Sequence, residues 1–282
     1  MRWKGRRQSE NVEDRRGMTS KRIVGGGIGT LVILLIVWFL GGNPLDFLQN
    51  MPQTEQGSVS EEYQPTAEEN ELAQFVGVVL GDTEDVWQDL FSRSGNAYQP
   101  PKLVLYTDMV QSACGFSSAA TGPFYCPGDQ KVYVDLSFCQ DLQRRFEAPG
   151  DFAIAYVIAH EVGHHVQNLL GIEEKVAAMR DRVNEREFNR YSVAMELQAD
   201  FLAGVWANHA QKLKNILEEG DLEEALNAAS AVGDDRIQKR TQGTVVPDAF
   251  THGTSAQRQQ WFQKGFQTGD INQGDTFAGL EF

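Results

Sequence analysis

Apolar and polar positions divide the chain into regimes with different periods. From Ile23 to Leu40 the run IVGGGIGTLVILLIVWFL holds 18 uncharged residues interrupted only by glycines and one threonine. That is about the shortest stretch able to cross a hydrocarbon core. It has no polar face and offers no clear small-residue cleavage site after it, so it predicts a retained transmembrane helix over 23–42. Residues 43–66 are polar, contain three prolines and show no apolar period, which predicts a linker. From Ala67 to Phe91 the apolar residues Leu72, Phe75, Val76, Val79, Leu80, Val86, Trp87 and Leu90 recur at helical spacing, with GDT in the middle, which reads as two helices or one broken one. PKLVLYTD (101–108) and QKVYVDLSF (130–138) read as strands. After Pro149-Gly150 the period turns helical over 151–169, 173–217, 221–231 and 255–268. The expected architecture is α+β: one mainly helical domain, residues 67–282, with a small antiparallel sheet.

Charge is unevenly placed. The formal net charge is −14, yet residues 1–22 carry eight Lys/Arg against three acids, leaving 17 bases and 36 acids in the rest. Such a body repels a phosphate backbone, so nucleic acid is excluded as its partner. A basic stretch before an apolar run and acidic sequence after it place residues 1–22 as a cytoplasmic tail, with the body on the far side of a single-pass membrane anchor. An oxidising compartment there suits a disulfide between Cys114 and Cys126, which flank the small-residue loop GFSSAATGPFY. The three cysteines lack the two-to-four-residue spacing of zinc ligands, and Cys139, in DLSFCQDL, reads as a small buried hydrophobe.

The chemistry concentrates in AIAYVIAHEVGHHVQNLL, residues 153–170. On a helix His160 and His164, four apart, lie on one face and can reach one ion, while Glu161 points aside, where it can take a proton from a metal-activated water. A helix apolar nearly all round buries such groups at high cost unless they are paired or bound to metal. Gly163 weakens the helix by about 1 kcal/mol relative to alanine, which points to a close approach of another segment. His165 sits about 140° round from His160 and reads as a packing or hydrogen-bonding residue. A third ligand is needed. In VAMELQADFLAGVWANH, Glu196 and Asp200 again share a face; one carboxylate can bind the metal while the other accepts the free ring N–H of a ligating histidine, and spacing alone does not say which.

HEVGHHVQ followed by ELQADFLAGVWA resembles the bacterial, membrane-anchored family of putative neutral zinc metallopeptidases and, more distantly, the gluzincins, in which HExxH is completed by a Glu followed four residues later by an Asp. CGFSSAATGPFYCPGDQKVYVDLSF and AFTHGTSAQRQQWFQKGF carry the likeness over roughly 100–270. Cys139 departs from the family's usual apolar residue there, away from the site. The resemblance implies a zincin-like domain with one Zn2+ on His160, His164 and Glu196, Glu161 as general base, Asp200 behind the ligands, a protein or peptide substrate, and the cytoplasmic membrane of a bacterium as location. A second electrophile for the oxyanion is sought in His252, in a short polar loop before a helix capped by Thr254 or Ser255, with Tyr191 and Arg258 as weaker choices. The strand 130–136 offers an edge for a substrate peptide. The competing reading is a catalytically silent zincin-fold scaffold at the membrane, against which the presence of Glu161 argues. Oligomeric state is not legible in the sequence.

Overall fold

The computed structural model describes residues 1–18, 63–118, 121–144 and 147–282. The run expected to span a membrane, 23–42, and residues 43–62 of the expected linker lie outside these. Among the described residues no helix is long and apolar enough to cross a bilayer. In chain order the elements are β1 (Val12–Asp14), α1 (Ala67–Arg93), β2 (Lys102–Tyr106), β3 (Met109–Ser112), β4 (Gly115–Ser118), β5 (Phe124–Cys126) and β6 (Lys131–Asp135). The helices α2 (Ser137–Arg144), α3 (Asp151–Leu169), α4 (Ile172–Met179), α5 (Glu185–Lys214), α6 (Asp221–Ala231), α7 (Asp234–Gln242) and α8 (Ser255–Thr268) follow.

Thr66 opens α1 with a capping box closed by Glu69, and the helix runs unbroken through Gly81-Asp82-Thr83. The GDT break expected there is instead a docking place. Gly81 has no side chain because a Cβ would stand 3.0 Å from the Arg7 carbonyl oxygen, Asp82 accepts from Arg6 and Lys214, and the Thr83 hydroxyl donates to Leu80 O at 2.7 Å. The basic N-terminal residues therefore do not stand apart as a tail. Trp3 meets Phe75 edge-on, Arg7 reaches Glu84 (2.9 Å) and Asp85 (2.7 Å), the Met1 ammonium reaches Asp151 at 2.6 Å, and β1 pairs in parallel with β2. Lys4, Arg6 and Arg7 pair with acids of α1, while Arg15 and Arg16 pair with Glu13 and Asp14 of β1 itself.

The main sheet has the order β1-β2-β6-β5. It is not the antiparallel sheet expected: β1, β2 and β6 run parallel, and only β5 is antiparallel. Between β2 and β6 the chain makes the hairpin β3–β4 and then β5, so that β6 re-enters in the direction of β2. An alternating pattern reads the same in either direction, so strand polarity was invisible to it. The same order places β6 inside the sheet, so of the proposed substrate edge at 130–136 Lys131, Val132 and Tyr133 are paired on both sides, by β2 and β5, while Val134 and Asp135 are paired with β2 alone. A Cys114–Cys126 disulfide ties the hairpin turn to β5, and Cys139 is free and buried.

On the sheet's inner face Leu103, Leu105, Val132 and Val134 join residues of α1, α3, α5 and α8 in the main core. The expected 173–217 helix is two: α4 ends at Met179, and Asn184 starts α5 by accepting the Glu187 N–H at 3.0 Å. Helix α7, which is too polar to show an apolar period, was not anticipated. Gly163 serves the close approach its position suggested, since a Cβ there would lie 3.0 Å from Ala199 O on α5. That contact sets α3 and α5 close together at the level of the histidines.

Candidate metal centre

Helix α3 presents His160 and His164 to Glu196 on α5. His160 Nε2 lies 3.2 Å from one Glu196 oxygen, His164 Nε2 lies 3.4 Å from the other, and the two rings are nearly perpendicular with centroids 4.8 Å apart. One donor atom from each of the three residues falls within 4.8 Å of the others. Two imidazole nitrogens and one carboxylate fit zinc in a site that leaves a fourth position for water.

Both histidines are held from behind. His160 Nδ1 donates to Asp200 Oδ1 at 2.9 Å, and His164 Nδ1 donates to Gln167 Oε1 at 2.9 Å. These bonds commit the Nδ1 atoms and leave both Nε2 atoms facing Glu196. Asp200 is fully buried and also accepts from the Tyr156 hydroxyl and from Arg258, through Nε at 2.7 Å and Nη2 at 2.9 Å. Gln167 is buried too, and its amide donates to Met195 O (2.8 Å) and Gln198 Oε1 (3.0 Å). The open alternatives for Glu196 and Asp200 are thereby separated by geometry: Glu196 faces both Nε2 atoms and Asp200 faces a ring Nδ1.

Electrostatics mark the cluster as a cation site. Burial works to lower the pKa of His160, but the charge and hydrogen bond of Asp200 and the hydrogen bond of Glu196 outweigh it and raise it to about 10. Burial works to raise the pKa of Glu196, and the charges and hydrogen bonds of His164 and His160 hold it well below the usual carboxylate range. Without a metal the cluster attracts protons; a metal ion bound there would displace them.

Glu161 is buried beside the pair, and its charge acts on His164. His252 lies in the turn before α8, half exposed, with Nδ1 3.2 Å from Asp234 Oδ1. Asp234 Oδ2 accepts the backbone N–H groups of Thr251 (2.7 Å), His252 (2.6 Å) and Gly253 (3.1 Å), which fixes the turn. The Asp234 hydrogen bond raises the pKa of His252, burial opposes it, and the Glu196 charge adds to the rise. Tyr191 does not belong to it: its hydroxyl donates to Glu281 O, in a separate cluster with Phe277. Arg258 holds Asp200 with Nε and Nη2, and Nη2 also comes within 3.4 Å of both His160 ring nitrogens and 3.8 Å of Glu196 Oε2. His165 is structural, accepting from Tyr125 at Nδ1 (3.1 Å) and donating from Nε2 to Gln99 O (2.7 Å).

Reading the sequence for chemistry missed Tyr156, Gln167 and Asp234. Tyr156 and Gln167 lie four before His160 and three after His164, so helical spacing could have found them. Asp234 is 18 residues from His252 with no periodic link.

The sequence profile of the family described as "Putative neutral zinc metallopeptidase" matches residues 1–277. The chain belongs to this family. It is 50% identical over 288 residues to "Uncharacterized protein YpfJ" of Escherichia coli (strain K12), an alignment covering 99% of each chain. It is 42% identical over 226 residues to "Uncharacterized protein Mb2605" of Mycobacterium bovis and to "Uncharacterized protein Rv2575" of Mycobacterium tuberculosis, covering 76% of this chain and 74% of each relative. No solved structure matches it. The match begins at residue 1 and so takes in the docked N-terminal segment along with the metal centre.

Proposed function

We propose that the chain is a zinc-dependent peptidase acting on protein or peptide substrates. The observation that carries the reading is the convergence of His160, His164 and Glu196 with the far nitrogen of each histidine already engaged by Asp200 or Gln167. A zinc ion held by these three residues would supply an acidified water and a Lewis-acid contact for the scissile carbonyl. Glu161, adjacent to His160 and outside the ligand set, accepts the water proton and delivers it to the leaving amine nitrogen. His252, held by Asp234, donates to the carbonyl oxygen as negative charge develops on it.

The test is zinc content and casein cleavage on the purified protein, with Glu161→Gln alongside. About one zinc per chain in both proteins, with cleavage falling roughly 10²–10⁴-fold in the variant, is the expected result. Zinc without cleavage by the wild type would favour a silent, zinc-holding scaffold. Folded protein that takes up no zinc would overturn the reading.

A further inference from the structure

Arg258 is 3% exposed, and the carboxylate it holds, Asp200, is completely buried. A buried ion pair is weak support for a fold, because well-packed apolar side chains of similar volume commonly do as well. Its position is more informative than its charge. Helix α8 is pressed against α5 at two glycines: a Cβ on Gly204 would lie 2.1 Å from Phe262 O, and one on Gly265 would lie 2.0 Å from Phe201 O. The Thr254–Gln257 capping box fixes the start of the same helix, one turn before Arg258. Backbone against backbone, α8 delivers the Arg258 fork to both oxygens of Asp200, at 2.7 and 2.9 Å. Oδ1, the oxygen shared with Nη2, is also the one that accepts His160 Nδ1–H.

We propose that Arg258 is a positioning residue for the metal centre: by locking the Asp200 carboxylate through two parallel hydrogen bonds, it fixes the orientation of the His160 ring and so sets zinc affinity. This inference rests on the reading of His160, His164 and Glu196 as metal ligands. A lysine at 258 keeps the charge and loses the planar fork; a glutamine loses the charge as well. Partners behind a metal-ligating histidine typically govern 10–100-fold in metal affinity.

Zinc affinity of the full chain is measured by competition with a chelator of known strength, for the wild type, Arg258→Lys and Arg258→Gln, with circular dichroism of the zinc-free proteins recording the fold. The expected result is zinc binding weakened about 10-fold by lysine and up to about 100-fold by glutamine, in proteins that remain folded. Cobalt, used as a spectroscopic stand-in, should show weaker tetrahedral absorption in both variants. Wild-type affinity in either folded variant would overturn the role of Arg258 and leave the metal site standing. A wild-type protein that binds no zinc would overturn both. Should the glutamine variant fail to fold, the lysine variant decides.

Discussion

Two regions of this molecule are built from the same ionic groups and use them in different ways. At the candidate metal centre Asp200, Arg258, Tyr156 and His160 form a network with almost no solvent contact. At the N-terminus Arg7, with its side chain 47% exposed, bridges Glu84 and Asp85 on the surface of α1, and Glu13 on β1 gathers Lys131, Lys102 and Arg15. In the first region water cannot replace a lost partner, so each group depends on the others. At Arg7 and Glu13 water and salt can, and strength comes from the number of pairs and from the backbone pairing beneath them, whereas Arg6 in the same segment reaches the buried Asp82. The difference shows that burial, more than ion-pair count, decides what a charged residue contributes.

The largest effect expected follows from leaving Asp200 without its partner. Arg258→Met should destabilise the protein by about 3–5 kcal/mol in urea unfolding. Adding Asp200→Leu to it should restore most of that stability while zinc affinity stays low; failure to recover would mean the network holds the fold and erase the contrast drawn above. Next comes the dependence on pH at β1. The Lys131 hydrogen bond, with those of Arg15 and Lys102 and against the effect of burial, lowers the pKa of Glu13 from 4.5 to about 2. A carboxylate depressed on folding contributes stability that is complete above the ordinary pKa and is lost as pH falls towards the folded one. Between pH 5 and 2.5 the wild type should therefore lose about 1–2 kcal/mol more than Glu13→Gln, allowing for solvent screening. The smallest effect belongs to Arg7→Ala: below about 1 kcal/mol at low salt, and nearly nothing in 1 M sodium chloride. A loss at Arg7 as large as that at Arg258 would remove the distinction between the two regions.

What the sequence made legible follows from locality. His160, Glu161 and His164 share a few turns of one helix, and Glu196 and Asp200 share another, so spacing alone brought out both halves of the centre. Gly163 also announced a close approach, because a helix interior has little other use for glycine. The joining of the halves was not legible from spacing. That Arg258 reaches Asp200 depends on the α5 and α8 backbones meeting at Gly204 and at Gly265, and that Asp234 holds His252 depends on α7, which has no apolar stripe. Strand direction was hidden because an alternating pattern has no polarity. The docking of residues 1–18 was hidden for a different reason: a cluster of arginines looks the same whether it faces solvent, lipid or the acids of α1.

That docking has a topological consequence. Gly17 and Tyr63 stand against each other, with a Cβ at Gly17 falling 2.4 Å from the Tyr63 side chain, so residues before and after 19–62 meet on one packed body. Removing residues 1–18 would therefore strip the sheet of the strand that pairs with β2 and leave the buried Asp82 to Lys214 without Arg6.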